Sequence, residues 1–331
     1  MKYNECGVTA PGPFTNREPL ESEAMVRWFG QMTAAVLIVL VSATTGATAK
    51  PVLRVAYAGS MGTVMDRDLG PTFARRAGVT YHGIGHGSFG LARLLAAGRM
   101  QADVFVGVTP GPARILLRHG MIARAMPVAS TQMVIAYSPH SRYKSDFQAA
   151  KAGKTPWYKV LEKPGVRFGR TDPATDPQGR NIIFTFQLAQ RYYHQPNLVK
   201  RILGSVHNPK QIFTESSLLT RLESGQIDAS SGYLSAVKSR GLPYISLPAQ
   251  INLSNPRYMR SWYRHAGFAL TGKNGKAQQT HPEPLVFYAA VMNNAPRPKL
   301  ARRFVKFLKS TQGQRILKRD GYSAPHGQPL Q

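Results

Sequence analysis

Residues 53–90 read LRVAYAGSMGTVMDRDLGPTFARRAGVTYHGIGHGSFG, and the order of residue types in this stretch decides the fold. Leu53 to Gly59 is a short apolar run that reads as a strand. Val64 to Arg76 is amphipathic at helical spacing, Val79 to Ile84 reads as a second strand, and Ser88 opens a helix predicted to run to Ala97. Strand followed by helix, twice over, is the signature of α/β units on a largely parallel sheet.

The same alternation continues C-terminally. ADVFVGV (102–108) reads as a strand, Pro112 to His119 as a helix and TQMVIAYSP (131–139) as a strand. The pattern then restarts with a short helix in PWYKVLEKPG, a strand in VRFGRT and a long helix from Asn181 to Tyr193. A helix follows over Thr214 to Gly225, then strands LPYISLP (242–248) and LVFYAAVM (285–292), and last a basic amphipathic helix from Lys299 to Arg319. The spacing of Leu300, Phe304, Phe307 and Leu308 gives that helix an apolar stripe of ordinary core type, with its cations on a solvated face. Two half-size α/β blocks are expected, the second inserted into the first. One lobe comprises residues 50–136 plus 241–331 and the other 137–240, with crossings near Tyr137 and Tyr244 and a cleft between.

Toward the N-terminus, AAVLIVLV (34–41) is preceded by Arg27 and followed by Ala47-Thr48-Ala49. Charged, apolar and small residues in that order form a secretory signal, with cleavage expected after Ala49 and translation beginning at Met25. The apolar run is about ten residues, half of what a bilayer span needs. The only cysteine, Cys6, precedes it, so the exported chain is expected to hold no disulfide, thiol nucleophile or lipid anchor. A freely soluble, monomeric periplasmic protein fits. The formal charge is +27, and residues 1–49 carry three basic and four acidic residues, so the excess lies in what remains. Such a field attracts anions, nucleic acid among them, but export argues against nucleic acid as the partner.

Gly85-His86-Gly87-Ser88-Phe89-Gly90 fits G-x-G-x-x-G between strand and helix. It follows the second strand rather than the first, and Asp103 comes too early to hold a ribose, so a dinucleotide site is rejected. Ser60 and Ser88 instead share a position where a strand ends and a helix begins. Each offers a hydroxyl, backbone N–H groups and a helix dipole to one tetrahedral anion; the competing reading is that each only caps its own helix. No G-x-S-x-G, H-E-x-x-H or catalytic cysteine is present, so no enzyme is expected, and no cofactor. His82 and His86, four positions apart, are a weak candidate for a metal.

The blocks YAGSM (57–61), GHGSFG (85–90), VRFGRTDPATDPQGR (166–180), TESSLLTRLESGQIDASSGYLSAV (214–237), LPAQINLSNPRY (247–258) and PLVFYAAVMNNAPRPKLARRFVKFL (284–308) occur in this order. Together they resemble the periplasmic molybdate/tungstate-binding components of ABC importers, particularly the tungstate-binding branch, over Leu53 to Pro325. The resemblance implies a type II periplasmic binding protein: two lobes, each a mostly parallel sheet flanked by helices, delivering an oxyanion to an inner-membrane permease. It implies that Ser60 and Ser88 contact the anion from one lobe, and Asp176, Glu215 and Tyr233 from the other. Departures fall at Gln178, where relatives often have Cys, and at Ser230 to Leu234, which replaces a more aromatic stretch followed by Arg; they bear on fine specificity.

A carboxylate facing an oxyanion should repel it. The resemblance implies that Asp176 and Glu215 instead ligate the molybdenum or tungsten centre, taking it from four to six coordination, which sulfur does not do. On the residues alone, Asp176-Pro177 also reads as a simple turn and Glu215 as a first-turn residue after Thr214 as N-cap. Thiosulfate, a phosphonate or a ferric complex are the alternative solutes for the same fold.

Overall fold

A computed structural model describes residues 50–271 and 277–331; the expected signal segment, Met25, Cys6 and the cleavage point at Ala49 lie outside the described residues. Among those described, no helix is long and apolar enough to cross a membrane. The strands are β1 Val52–Ala58, β2 Thr80–His86, β3 Val104–Val108, β4 Met126–Ser130, β5 Met133–Tyr137, β6 Phe168–Gly169, β7 Ala229–Tyr233, β8 Tyr244–Ser246, β9 Phe268–Thr271, β10 Ala277–Thr280 and β11 Val286–Val291. Among the helices are α1 Gly70–Ala77, α2 Ser88–Ala96, α3 Pro110–Arg118, α4 Pro177–Tyr192, α5 Glu215–Glu223, α6 Pro298–Lys309 and α7 Thr311–Arg319.

Five strands form one sheet in the order β2-β1-β3-β11-β4, and four form another in the order β6-β7-β5-β8. The α/β architecture on two sheets is as expected, but the sheets are mixed rather than mostly parallel. β1 lies parallel to β2 and β3, whereas β11 runs antiparallel to both β3 and β4. β5 is antiparallel to β7 and β8, with only the short β6 parallel to β7. The reversal arises where the chain passes between the sheets, because a strand that enters a sheet from the other one arrives from the opposite end.

The passages also fall elsewhere than near Tyr137 and Tyr244. β4 closes the first sheet at Ser130 and β5 opens the second at Met133, so the outward crossing is Thr131-Gln132. Tyr244 pairs with Ala136 inside the second sheet, and the return comes after Ser246. Both crossing residues are tied down: the Thr131 hydroxyl lies 3.0 Å from that of Ser235, and Asn252 donates to Gln132 Oε1 at 3.1 Å.

Helices cover both faces of the first sheet, which is why its central strands are apolar throughout. On one face Val55, Val104 and Val106 pack with Phe73 of α1 and with α6, Phe73 and Phe304 meeting edge to face at 5.1 Å. On the other, Ala56 and Phe105 pack against Leu91 and Leu95 of α2 and Leu116 of α3. The predicted single helix from Lys299 to Arg319 is broken at Ser310, which is extended at ψ 161°. Its hydroxyl donates to the Phe307 carbonyl at 2.7 Å and accepts from the Gly313 N–H at 3.2 Å, satisfying the end of one helix and the start of the next.

Candidate anion-binding site

On the first sheet, β1 ends at Ala58 and the chain turns tightly through Gly59–Met61. Ser60 in this turn is buried, and its Oγ has no hydrogen-bond partner among the described residues. β2 ends at His86, and Gly87 precedes α2, whose first residue is Ser88. The buried Ser88 Oγ accepts from the Val108 N–H at 3.2 Å, which leaves its own proton to donate. Both serines therefore stand at the strand-to-helix turns read from the sequence, and neither hydroxyl caps its helix.

On the second sheet, Asp176 is the N-cap of α4, accepting from the Gln178 N–H at 2.9 Å. Glu215 is the first residue of α5 behind the N-cap Thr214. The capping readings thus hold for the backbone at both places, and yet both carboxyls are buried at 6% exposure. Gln178 links them: its Nε2 donates to Glu215 Oε1 at 2.8 Å, and its Oε1 accepts from Ser231 Oγ at 2.7 Å. Tyr233, at the end of β7, is fully buried, and its hydroxyl accepts from Asn181 Nδ2 at 2.9 Å.

Two close approaches bring the halves together. A Cβ on Gly59 would stand 3.0 Å from Glu215 Oε2, so the Ser60 turn lies on that carboxyl. A Cβ on Gly87 would stand 2.7 Å from the Thr175 carbonyl oxygen and 3.2 Å from Asp176 Cβ, so the start of α2 lies on the Asp176 turn. The Gly90 N–H to Thr175 carbonyl bond at 3.1 Å and the Arg93 to Ala174 carbonyl bond at 2.8 Å close the same seam. A cleft of about 660 Å3 opens beside it, lined by Tyr57, Asp66, His86, Asp176, Phe213 and Glu215 among others.

Gly87→Ala is expected to push Thr175 and the Asp176 turn away from α2. The colliding partner is backbone, so overpacking of about 1–3 kcal/mol is relieved by opening the seam rather than by a side-chain turn. Titration calorimetry should show the bound anion held at least about tenfold more weakly, with the unliganded protein melting close to wild type.

The electrostatics are those of a carboxylate pair. Burial, joined by the charge of Asp172, pushes the Asp176 carboxyl up to about 6 against the opposing Gln178 N–H bond. Burial and the charge of Asp176 raise Glu215 well above its ordinary value, opposed by the Gln178 amide. Burial and the two carboxylates likewise raise Tyr233, which stays a neutral hydroxyl. Arg180 lies alongside, stacked 3.8 Å over Phe89 and donating to the Pro173 carbonyl.

Of the five residues singled out in the sequence, Asp176 and Glu215 line the cleft, Ser60 lies in the turn against Glu215, Ser88 starts the helix against the Asp176 turn and Tyr233 is close enough to feel both carboxyls, while the His82/His86 pair does not make a metal site. Both lie on β2, where four residues span about 13 Å. No group of three or more His, Cys, Asp or Glu among the described residues is placed to hold a metal. Sequence reasoning missed the bridging roles of Gln178, Asn181 and Ser231. A signal existed, since Gln178, Asn181 and Thr185 recur at helical spacing on the buried face of an otherwise apolar α4. Thr109 was also missed: it has φ 61°, rare for a β-branched residue, and a buried Oγ1 without a partner among the described residues, just after Val108, which holds Ser88.

Two lobes with a buried polar seam between the ends of their strands define a solute-binding protein. The chain belongs to the family of bacterial extracellular solute-binding proteins, whose profile matches residues 53–323. Among its relatives, an uncharacterized solute-binding protein of Petrotoga mobilis is 34% identical over 195 residues, covering 58% of this chain and 59% of its own. The molybdate/tungstate-binding protein WtpA of Pyrococcus abyssi is 30% identical over 211 residues, covering 57% and 59%. The chain thus spans about three fifths of the length of these relatives. In fold it is similar to the periplasmic molybdate-binding protein of Azotobacter vinelandii, at TM-score 0.54 and 16% identity over 83% of this chain and all of that one. The sulfate-binding protein SubI of Mycobacterium tuberculosis is similar to nearly the same degree, at TM-score 0.51 and 12% identity over 83% and 87%. The fold by itself therefore does not choose between oxyanions.

Proposed function

We propose that this protein captures molybdate or tungstate between its two sheets and delivers it to the permease of an ABC-type importer. The observation that carries this reading is the buried pair Asp176 and Glu215, set among hydroxyl donors and turns. Once ionised, two carboxylates in a seam of this kind repel an ordinary oxyanion by about 4 kcal/mol for each pair of unit charges 4 Å apart in a partly desolvated site. They suit an anion whose central atom is electrophilic and accepts further oxygen ligands. Asp176 and Glu215 ligate the metal centre, while Ser60, Ser88 and Tyr233 donate to its oxygens. The likeness to relatives named for molybdate and tungstate supports the same assignment.

In this reading the two sheets are the cores of two lobes, divided at Thr131-Gln132 and beyond Ser246, that close on the anion like a hinge. The protein acts as an exported monomer, without a cofactor, nucleic acid or catalysis. Thermal unfolding with each anion tests it, since a ligand bound only by the folded state stabilises by about 2.7 kcal/mol at one hundred times its Kd. Micromolar molybdate and tungstate are expected to raise Tm by several degrees, and sulfate and phosphate at the same concentration to leave it unchanged. A rise with sulfate or phosphate alone overturns the assignment.

A further inference from the structure

The contacts around Gln178 form a chain of donors and acceptors with only one consistent direction. Ser231 is fully buried on β7, and its hydroxyl lies 2.7 Å from Gln178 Oε1. A hydroxyl has a single proton, and an amide oxygen only accepts, so that proton is committed to Oε1. The other arm of the amide, Nε2, must then face Glu215 Oε1, 2.8 Å away. Reversing the amide would set its oxygen against the Glu215 carboxylate, which only accepts, so Glu215 fixes the sense of the bridge, and the Ser231 hydroxyl, able to donate or accept, closes it at Oε1.

The same residue also holds the second carboxyl, through its backbone: the Gln178 N–H donates to Asp176 Oδ1 at 2.9 Å. Gln178 is itself 1% exposed, so no water replaces either contact without rearrangement. Its bond ties down Glu215 Oε1, while Oε2 is the oxygen turned to the Gly59–Ser60 turn across the seam. One oxygen of Glu215 is thus held from its own lobe, and the other is presented to the opposite lobe.

We propose that Gln178, braced by Ser231, is a positioning residue whose side chain presents Glu215 Oε2 to the bound anion beside Asp176, and so sets the preference for a metal-centred oxyanion. The proposal rests on the reading that these carboxylates ligate a molybdenum or tungsten centre. A glutamine suits this task because its amide is neutral: a lysine there would neutralise the carboxylate and admit sulfate, and a glutamate would add a third like charge. Holding a carboxylate by a neutral donor retains its charge as a ligand while fixing its direction.

The test uses the full exported chain and two variants, Gln178→Met, which keeps the length and removes both hydrogen-bonding arms of the side chain, and Ser231→Ala, which removes only the hydroxyl that braces the amide oxygen. Calorimetric titration with molybdate and with sulfate is paired with X-ray absorption at the molybdenum edge, which reports how many oxygens surround the bound metal. Gln178→Met is expected to bind molybdate about tenfold or more weakly, as loss of a charge-assisted hydrogen bond implies, and to show fewer oxygens around molybdenum than the wild type. Ser231→Ala is expected to change both readouts in the same direction by less, with the double variant no worse than Gln178→Met because the two act in one chain.

Unchanged affinity and coordination in a folded Gln178→Met overturn the proposal. Weaker binding with an unchanged absorption spectrum also overturns it, since that is what a structural role alone produces. Where Gln178→Met does not fold, Ser231→Ala decides on the same two readouts. A wild-type protein that binds no molybdate, or holds it with four oxygens only, counts against the functional reading itself and is seen before either variant is made.

Discussion

Asp176→Asn and Glu215→Gln should each weaken molybdate and tungstate binding by about 100-fold or more, equivalent to roughly 2.7 kcal/mol, and leave sulfate binding no worse. The direction for sulfate is the informative part. Removing a negative charge from the wall of an anion site relieves repulsion, so an ordinary oxyanion should gain or hold its affinity. A metal-centred anion loses a ligand instead. The amide variants are chosen over alanine because Asp176 also caps α4 through the Gln178 N–H, and losing that cap costs about 1 kcal/mol of stability for reasons unrelated to the anion. Asparagine and glutamine keep the shape and an acceptor oxygen. Calorimetric titration of both variants with molybdate, tungstate and sulfate reads the outcome, and tighter molybdate binding in either variant removes the carboxylates from the ligand set.

Anion binding should expel protons, and apparent affinity for molybdate should fall as pH drops below about 6, where the Asp176 carboxyl takes up its proton. Burial holds both carboxyls above their ordinary values, joined by the charge of Asp172 at Asp176 and by that of Asp176 at Glu215, so the unliganded site carries protons that metal ligation must displace. The groups facing Asp176 are Asp172, which raises it, and Arg180, which lowers it; the buried Tyr233 stays neutral.

For the stability of the unliganded protein the sign is the opposite. A carboxyl raised in the folded state binds more protons there than in the unfolded chain, so its contribution to the stability of the unliganded protein is lost as pH rises through its folded value. With molybdate bound the dependence should flatten or reverse, because the ionised carboxylates then have a partner. Calorimetry in buffers of different ionisation enthalpy counts the protons. Proton uptake, with affinity growing toward acid, would mean that protonated carboxyls donate to the oxygens of an ordinary oxyanion, and metal ligation would be abandoned.

What the sequence makes legible here follows from how local each feature is. β1 and β3 were readable because each is an apolar run in the middle of the sheet, and the partly exposed edge strand β2 because it stands between two helices of clear period. β4 was not read as a strand, because MPVAS carries Pro127; the structure accommodates it at the sheet's edge, where β11 pairs irregularly next to Phe287 and Tyr288. The break at Ser310 was hidden because Phe307, Leu308 and Leu317 keep an apolar pattern across it, while the cap depends on a single hydroxyl.

At the site, the serines and carboxylates could be found from turn positions and from family resemblance. The bridge from Gln178 to Glu215 and Ser231 could not, since it joins residues 37 and 53 positions apart. A polar residue on an apolar helix face announces that it has a partner without saying which.

The place of β11 in the first sheet has a bearing on how this chain reaches its final state. It sits between β3 and β4, though nearly 160 residues separate it from β4, and the entire second sheet is made in between. Until β11 arrives, β3 and β4 keep open edges, and pairings this distant in sequence form slowly. A molecule of this topology holds its early strands unmatched while the whole second sheet is laid down, so early and late pieces of the chain must find each other before the first sheet is finished.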